Sequence, residues 1–397
     1  MRNPTSFLKS EYEDLVRQDL DWRLRVLGGP SEPWCLVDGK KVLMFCSNNY
    51  LGLSNHPRLK EAAIEAVRTH GAGSGSVRPI AGNMDLHVEL ERRLARFKGA
   101  EASLVYQTGF AANSGLIPQL AGKGDIIISD ELNHGSIIDG VRLSHAERGV
   151  YRHTDADDLA RVLEEAEKAN PPYARILIIT DGVFSMDGDI APLDRIAALG
   201  KIHGAMVYVD DAHGEGVLGE GGRGIVSHFK LSRDLVHVEM GTFSKAFGVV
   251  GGHISGSRDL INFAYNKSRT WLLSGSHPPA VVAACTAAID VLESEPQHVE
   301  RLWNNTRYFK KGMKDLGFDL GRSETPITPV MVGESGKAKK FSSRLFEFGV
   351  FALPIIYPMV AQGKARIRTI MNAALTQGDL DFAMNAFQKA GRELGVI

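Results

Sequence analysis

Lys245 lies in Met240-Gly-Thr-Phe-Ser-Lys-Ala-Phe-Gly-Val-Val-Gly-Gly252, directly after the apolar alternation Leu235-Val-His-Val. A strand that runs into a loop of small and hydroxyl residues would project the lysine from the end of a sheet. Thr242 and Ser244 can donate hydrogen bonds to a phosphate, and Gly248, Gly251 and Gly252 let backbone approach closely. A partly buried lysine gives up its proton more readily, and the free amine can form a Schiff base with a carbonyl. Taken alone, Ser-Lys is more often a solvated surface lysine.

A second stretch, Ala205-Met-Val-Tyr-Val-Asp-Asp-Ala-His213, is an apolar run ending in an acid, with a histidine three residues later. In α/β sheets ligands bind at the carboxyl ends of strands. Asp210 there, ahead of a lysine-bearing loop, suits a pyridoxal phosphate site. Its carboxylate can keep a pyridine nitrogen protonated, so that the ring accepts electrons from a carbanion. His213 can hydrogen-bond the ring's phenolic oxygen. Apart, Asp210 reads as a helix cap and His213 as a core histidine; together with Lys245 they read as a site.

The ordered motifs Ser47-Asn-Asn-Tyr-Leu-Gly-Leu53, Gly73-Ser-Gly-Ser-Val-Arg78, Asn133-His-Gly-Ser136, Asp181-Gly-Val-Phe-Ser-Met-Asp-Gly188, Asp210-Asp-Ala-His213 and Gly241-Thr-Phe-Ser-Lys245 resemble those of the α-oxoamine synthases. These are enzymes dependent on pyridoxal 5'-phosphate (PLP), with the aspartate-aminotransferase-like fold type I. The resemblance runs from about Phe45 to the C-terminus. It implies that Asn48 and Arg368 hold the amino-acid substrate and that the amides of Gly109 and Phe110 hold the cofactor phosphate. It stacks His134 on the pyridine face and puts Ser185 and Thr242 near the cofactor. By the same resemblance Ser274 would lie in a segment that crosses to the other subunit's phosphate, and the loop 71–82 would line the substrate side of the cavity. Lys245 would hold the cofactor and later remove the α-proton, with His134 able to aid proton transfer at an acyl carbonyl.

These side chains need a scaffold. Strand patterns at 102–106, 126–129, 176–180 and 205–210 alternate with helical patterns, which predicts an α/β fold with a mostly parallel sheet covered on both faces. The turn Gln107-Thr-Gly-Phe-Ala-Ala-Asn113 opens a helix, and strand, glycine and helix N-terminus together make an anion site. Residues 5–27 read as an amphipathic helix, carrying Leu8, Tyr12, Leu15, Leu20, Trp22 and Leu24, that either packs on its own subunit or grips a partner. Asp38-Gly39 marks a hairpin turn, and a helix starts near Pro57. Arg366 and Arg368 fall on one face of the strand 365–370; an arginine clamps a carboxylate at roughly 1.5–3 kcal/mol per charged hydrogen bond, and Arg366 reads as a surface partner. The expected division is an N-terminal helix and hairpin (1–45), a large PLP-binding domain (46–285) and a smaller α+β C-terminal domain (286–397).

Composition excludes several other classes. The 46 Lys and Arg nearly balance the 47 Asp and Glu, so no whole-chain field favours nucleic acid or anionic lipid. Cys35, Cys46 and Cys285 have no paired spacing, which argues against disulfides or a zinc site and fits a reducing cytoplasm. No run reaches the roughly 18 apolar residues of a membrane span, and the N-terminus has no apolar signal core. The expectation is a cytoplasmic homodimer without a metal.

Within the family, Asn133-His-Gly-Ser-Ile-Ile-Asp-Gly-Val-Arg142, Ile356-Tyr-Pro-Met-Val and Leu394-Gly-Val-Ile397 look most like glycine C-acetyltransferase. That likeness implies condensation of glycine with acetyl-CoA to 2-amino-3-oxobutanoate and CoA. Gly241-Thr-Phe-Ser-Lys-Ala-Phe-Gly and Gly124-Asp-Ile-Ile lean instead toward serine palmitoyltransferase and 8-amino-7-oxononanoate synthase, with a longer acyl-CoA. An aminotransferase would share fold and lysine but lack the acyl step. A non-catalytic partner subunit should have lost Lys245 or Asp210.

Overall fold

The computed structural model describes residues 3–18, 20–22 and 24–397. The first helix, Ser6–Arg17, is shorter than the expected 5–27 and has no buried residue. It closes on a wide turn in which the Leu20 amide reaches back to the Leu15 carbonyl (2.8 Å). Trp22 and Leu24 lie beyond it, 72% and 89% exposed, so no core surface rewards continuing the helix; Asp19 and Arg23 are outside the described residues. The hairpin forms as expected. Strands β1 (Trp34–Val37) and β2 (Lys40–Met44) pair antiparallel, and Asp38 and Gly39 take φ of 50° and 78°, the left-handed pair that a two-residue turn needs.

Seven strands make the main sheet: β3 (Ala102–Tyr106), β4 (Ile126–Asp130), β5 (Glu147–Tyr151), β6 (Ile176–Asp181), β7 (Met206–Asp210), β8 (Val238–Thr242) and β9 (Gly252–Gly256). Their order is β3-β9-β8-β7-β6-β4-β5. All pairings are parallel except those of β9, which runs antiparallel between β3 and β8. The strands read as nearly continuous apolar runs because both faces are covered. Alternate residues serve opposite cores: Leu177, Ile179 and Tyr208 pack with helices Gly109–Leu120 and Gly135–Leu143, while Ile178, Val207 and Val209 join the core containing Leu90, Phe97 and Ile225. The carboxyl ends of β4, β6, β7 and β8 therefore open on one side, and that side carries the site.

After helices Pro279–Ser294 and Gln297–Asp315, three antiparallel strands follow: β10 (Ile327–Gly333), β12 (Leu353–Ile355) and, between them in the sheet, β13 (Ala365–Ile370). The short β11 (Val350–Phe351) pairs with β2 instead, so the N-terminal hairpin is built into the C-terminal part. Phe309, Phe341 and Phe387, all fully buried, knit that part together; each buried ring contributes roughly 1.5–3 kcal/mol. Among the described residues no helix is long and apolar enough to cross a membrane.

Candidate functional site

Asp210 is the last residue of β7 and is 3% exposed. Its Oδ1 accepts from the Ala212 amide (3.0 Å) and its Oδ2 from Asn113 Nδ2 (2.7 Å). Asp181, at the same register on β6, accepts from the His134 amide (2.6 Å). Burial first, and then the charge of Asp210, push the Asp181 carboxyl well above the usual carboxylate range.

Lys245 stands on the loop after β8, near enough to feel both carboxylates. Burial lowers its pKa to about 8, against the opposing pull of Asp210 and Asp181. The loop is braced from behind. The Thr242 hydroxyl donates to the Gly251 carbonyl (2.6 Å), and the Thr242 amide donates to Glu215 Oε2 (3.1 Å). Glu215 also meets His253 (2.9 Å) and Lys98 (2.9 Å). Burial opposes its ionisation, but His253 and Lys98 prevail and bring its pKa to about 2. Asp211 belongs to the same buried cluster. Its Oδ2 accepts from the Ile225 amide (3.0 Å) and faces Lys98 Nζ (3.4 Å).

His213 is buried, and its Nδ1 bonds the Tyr50 hydroxyl at 2.7 Å. Burial, then Lys245 and Arg368, hold its pKa well below the ordinary value, so it is neutral. Arg368 donates from Nε to the Ser185 carbonyl (2.5 Å) and from Nη2 to Asn48 Oδ1 (3.2 Å). The two expected carboxylate-holding side chains thus meet, although they stand 320 positions apart. Ser185 takes part through its backbone. Arg366 is not the surface partner expected: it is 4% exposed, pairs with Asp187 and donates to the Met186 carbonyl (3.1 Å). Both arginines of β13 therefore brace the loop after β6.

The helix Gly109–Leu120 makes its first intrahelical bond from Ala112 to Thr108 (3.0 Å), which leaves the Gly109 and Phe110 amides without a helical partner. Gly109 sits against Thr242, where an added Cβ would lie 3.5 Å from the Thr242 Cβ. These orphan amides beside Thr242 could take a phosphate, Asp210 a ring N–H, and Lys245 an aldehyde carbon, so the donor set fits PLP.

Ser274 stands apart. It lines a small cleft with Arg78, Gln107, Trp271 and His277. The glycine-rich loop is tied to the same segment, through Ser74 and Ser276 (2.5 Å) and the Ser276 amide to the Ser76 carbonyl (3.0 Å), rather than to Lys245. Outside the site, His56, Glu295 and His298 form the one group among the described residues that could hold a metal. Guanidinium groups already engage it: Arg58 bonds Glu295 (3.1 Å) and Arg301 bonds His298 Nδ1 (3.2 Å).

Sequence reasoning assigned no role to Tyr50, Asn113, Asp181 or Tyr208. Asp181 carried a readable signal, an acid ending an apolar strand as Asp210 does. Tyr50 and Asn113 lay inside recognised motifs, but their partners are distant in sequence.

Residues 40–387 match the family described as Aminotransferase class I and II. The chain is 56% identical over 393 residues to an 8-amino-7-oxononanoate synthase of Symbiobacterium thermophilum, covering 99% of both chains. It is 53% identical over 391 residues to the enzyme of that name from Thermoanaerobacter pseudethanolicus, covering 98% of both. Its structure superposes on that of serine palmitoyltransferase from S. paucimobilis with bound PLP and myriocin, with a TM-score of 0.92, 32% identity, and 99% and 98% of the two chains covered. The expected nearness to glycine C-acetyltransferase finds no support in these likenesses. Of the motifs that suggested it, only Asn133-His-Gly-Ser-Ile-Ile-Asp-Gly-Val-Arg142 reaches the site, through His134; Leu394-Gly-Val-Ile397 lies past the end of the last helix.

Proposed function

The chain belongs to the class I and II aminotransferase family and, within it, to the PLP-dependent α-oxoamine synthases, and from that footing we propose that it makes 8-amino-7-oxononanoate from alanine and a pimeloyl thioester. The product dictates the substrates. Its amino carbon bears a methyl group, as the α-carbon of alanine does once the carboxylate leaves as CO₂. Its ketone is the acyl carbon of a seven-carbon dicarboxylic thioester, and the thiol departs as the new carbon–carbon bond forms. The observation that carries this choice is end-to-end identity above half to a relative of that name.

When bound, PLP supplies an electron sink for negative charge at the amino acid's α-carbon. The protein's own groups do the rest. Arg368 and Asn48 hold the substrate carboxylate. Lys245 attaches the cofactor, and its amine, with its pKa near 8, then takes the α-proton. Asp210 would hold a proton on the ring nitrogen, and neutral His213, its Nδ1 taken by Tyr50, would have Nε2 left for the phenolic oxygen. The Gly109 and Phe110 amides take the phosphate, with Thr242 beside them. His134 covers the ring and lends a proton at the acyl carbonyl, while Ser185 fixes Arg368 through its carbonyl.

A panel of alanine, glycine and serine against pimeloyl-, acetyl- and palmitoyl-CoA, read by CoA release, tests the reading. Alanine with pimeloyl-CoA is expected to give a kcat/KM at least about tenfold above every other pair, the scale of a 1.4 kcal/mol preference. A best rate with glycine and acetyl-CoA would return the glycine C-acetyltransferase reading.

We further propose a homodimer whose subunits share each site. Ile80, Phe110, Leu132 and Leu273 are between 53% and 82% exposed, an apolar set that a partner would cover. The 71–82 loop and Ser274 segment, joined to each other but not to Lys245, would serve the partner's site. Mixing inactive Lys245→Ala chains with inactive Ser274→Trp chains is expected to restore up to about a quarter of wild-type activity, because random pairing leaves one intact site in the mixed dimer. Full wild-type activity in a monomer at nanomolar concentration contradicts shared sites.

A further inference from the structure

We infer that Asn113 is a positioning residue that couples Asp210 to His134, fixing the orientation of the carboxylate and the tautomer of the imidazole through one buried amide. The inference rests on the roles proposed above for Asp210 and His134.

Asn113 is fully buried on the second turn of the helix Gly109–Leu120. The Tyr208 hydroxyl donates to its Oδ1 (2.7 Å), and the Asp210 carboxylate on the other side, which can only accept, decides which end of the amide is nitrogen. Its Nδ2 donates twice, to Asp210 Oδ2 (2.7 Å) and to Ser136 Oγ (2.9 Å). An amide has two N–H donors, so both are used. Ser136 Oγ, having accepted one hydrogen, is free to give its own to His134 Nδ1 at 2.7 Å. The Ser136 amide points at the same nitrogen (3.2 Å). A nitrogen facing two donors must carry the lone pair, so the proton of the neutral ring sits on Nε2. His134 keeps exposed surface, and its Nδ1 is taken by Ser136, so Nε2–H is the group left to meet a ligand. Gly140 makes the relay possible: a Cβ there would lie 2.9 Å from the Asn113 carbonyl, and only its absence lets the helix Gly135–Leu143 come close enough for Ser136 to reach Asn113.

The charged and titratable groups around His134 are Asp210, Asp181, Lys245 and His213. Enclosure by protein lowers the pKa of His134, Asp210 opposes this, and Lys245 reinforces it. A neutral imidazole donating from Nε2 is the state that the hydrogen-bond geometry and the enclosure favour, against the pull of Asp210.

¹⁵N NMR of histidine-labelled holoenzyme, without substrate, reads the tautomer directly, and His134→Asn identifies the signals. Wild type is expected to show bare Nδ1 and protonated Nε2 between pH 6 and 8. In Asn113→Asp, the Ser136 hydroxyl turns to the new carboxylate, one of whose oxygens faces Asp210. The new carboxyl and Asp210 would share one proton, so it is the loss of the hydroxyl donor from Nδ1 that should raise the His134 midpoint, by about half a pH unit or more, and shift the pH dependence of the bound cofactor's visible band. Ser136→Ala leaves the core amide in place, removes only the hydroxyl, and should raise the midpoint by about half a unit. Unchanged His134 titration in Ser136→Ala overturns the relay even if Asn113→Asp fails to fold. Because no acyl thioester is present, a wrong choice of acyl chain leaves these readouts untouched.

Discussion

Lys245→Ala is expected to bind PLP without a covalent link and to lose turnover by at least about 10⁴. The amine is given two tasks, attaching the cofactor and removing the α-proton, and a positioned base alone is worth about 10²–10⁴ in rate. Its pKa near 8, set mainly by burial, makes it a far better base at neutral pH than an exposed lysine. The fold should survive, because the loop is held by Thr242, Glu215 and the close passage of Gly248 past Ser54, not by the Lys245 amine. A small external amine should restore part of the proton transfer. The checks are the visible spectrum, which should lack the lysine-linked band, and CoA release. Turnover within tenfold of wild type would remove Lys245 from the centre of the chemistry.

The parts of the site that were legible are those written locally. Asp210 and Asp181 end apolar strands, Lys245 follows a strand in a loop of small residues, and Gly109 opens a helix; in each case a strand end defines where the side chain must be. The period of two put Arg366 and Arg368 on one face and the family resemblance singled out Arg368, but neither could tell that Arg366 beside it is buried against Asp187. What sequence could not give is whatever depends on two segments crossing. The Asn113–Ser136 contact needs the close approach at Gly140, and the Tyr50–His213 bond spans 163 positions. The first helix failed for a related reason: its apolar pattern runs on past Arg17, but helices are stabilised mostly by what they pack on, and no residue of this one is buried. The antiparallel β9 was hidden because a buried strand carries the same apolar run in either direction. Acyl-chain choice escaped because none of the recognised motifs was read as a path for the acyl chain.

Asp210→Asn carries the second large effect. Asp210 receives hydrogen bonds from Asn113 and the Ala212 amide, both donors. An asparagine can offer its oxygen to only one of them, and its own N–H₂ must face the other, a mismatch worth about 1–3 kcal/mol. The larger consequence is electronic. A neutral amide does not hold a proton on the ring nitrogen, and losing about 3–4 kcal/mol of carbanion stabilisation slows α-proton removal by roughly 10²–10³. Asp211, whose Oδ2 is held by Lys98 and the Ile225 amide, is the control: Asp211→Asn should leave this exchange far less changed.

The most direct measurement is exchange of the alanine α-proton with deuterated water, without acyl thioester, in wild type and in Asp210→Asn. It isolates carbanion formation from the acyl step and from every question of chain length. Wild type is expected to exchange readily, and the variant roughly 10²–10³ more slowly while still binding PLP. Equal rates in the two proteins, or no exchange in wild type, would contradict the assignment of Asp210 and Lys245 as the groups that make and stabilise the carbanion.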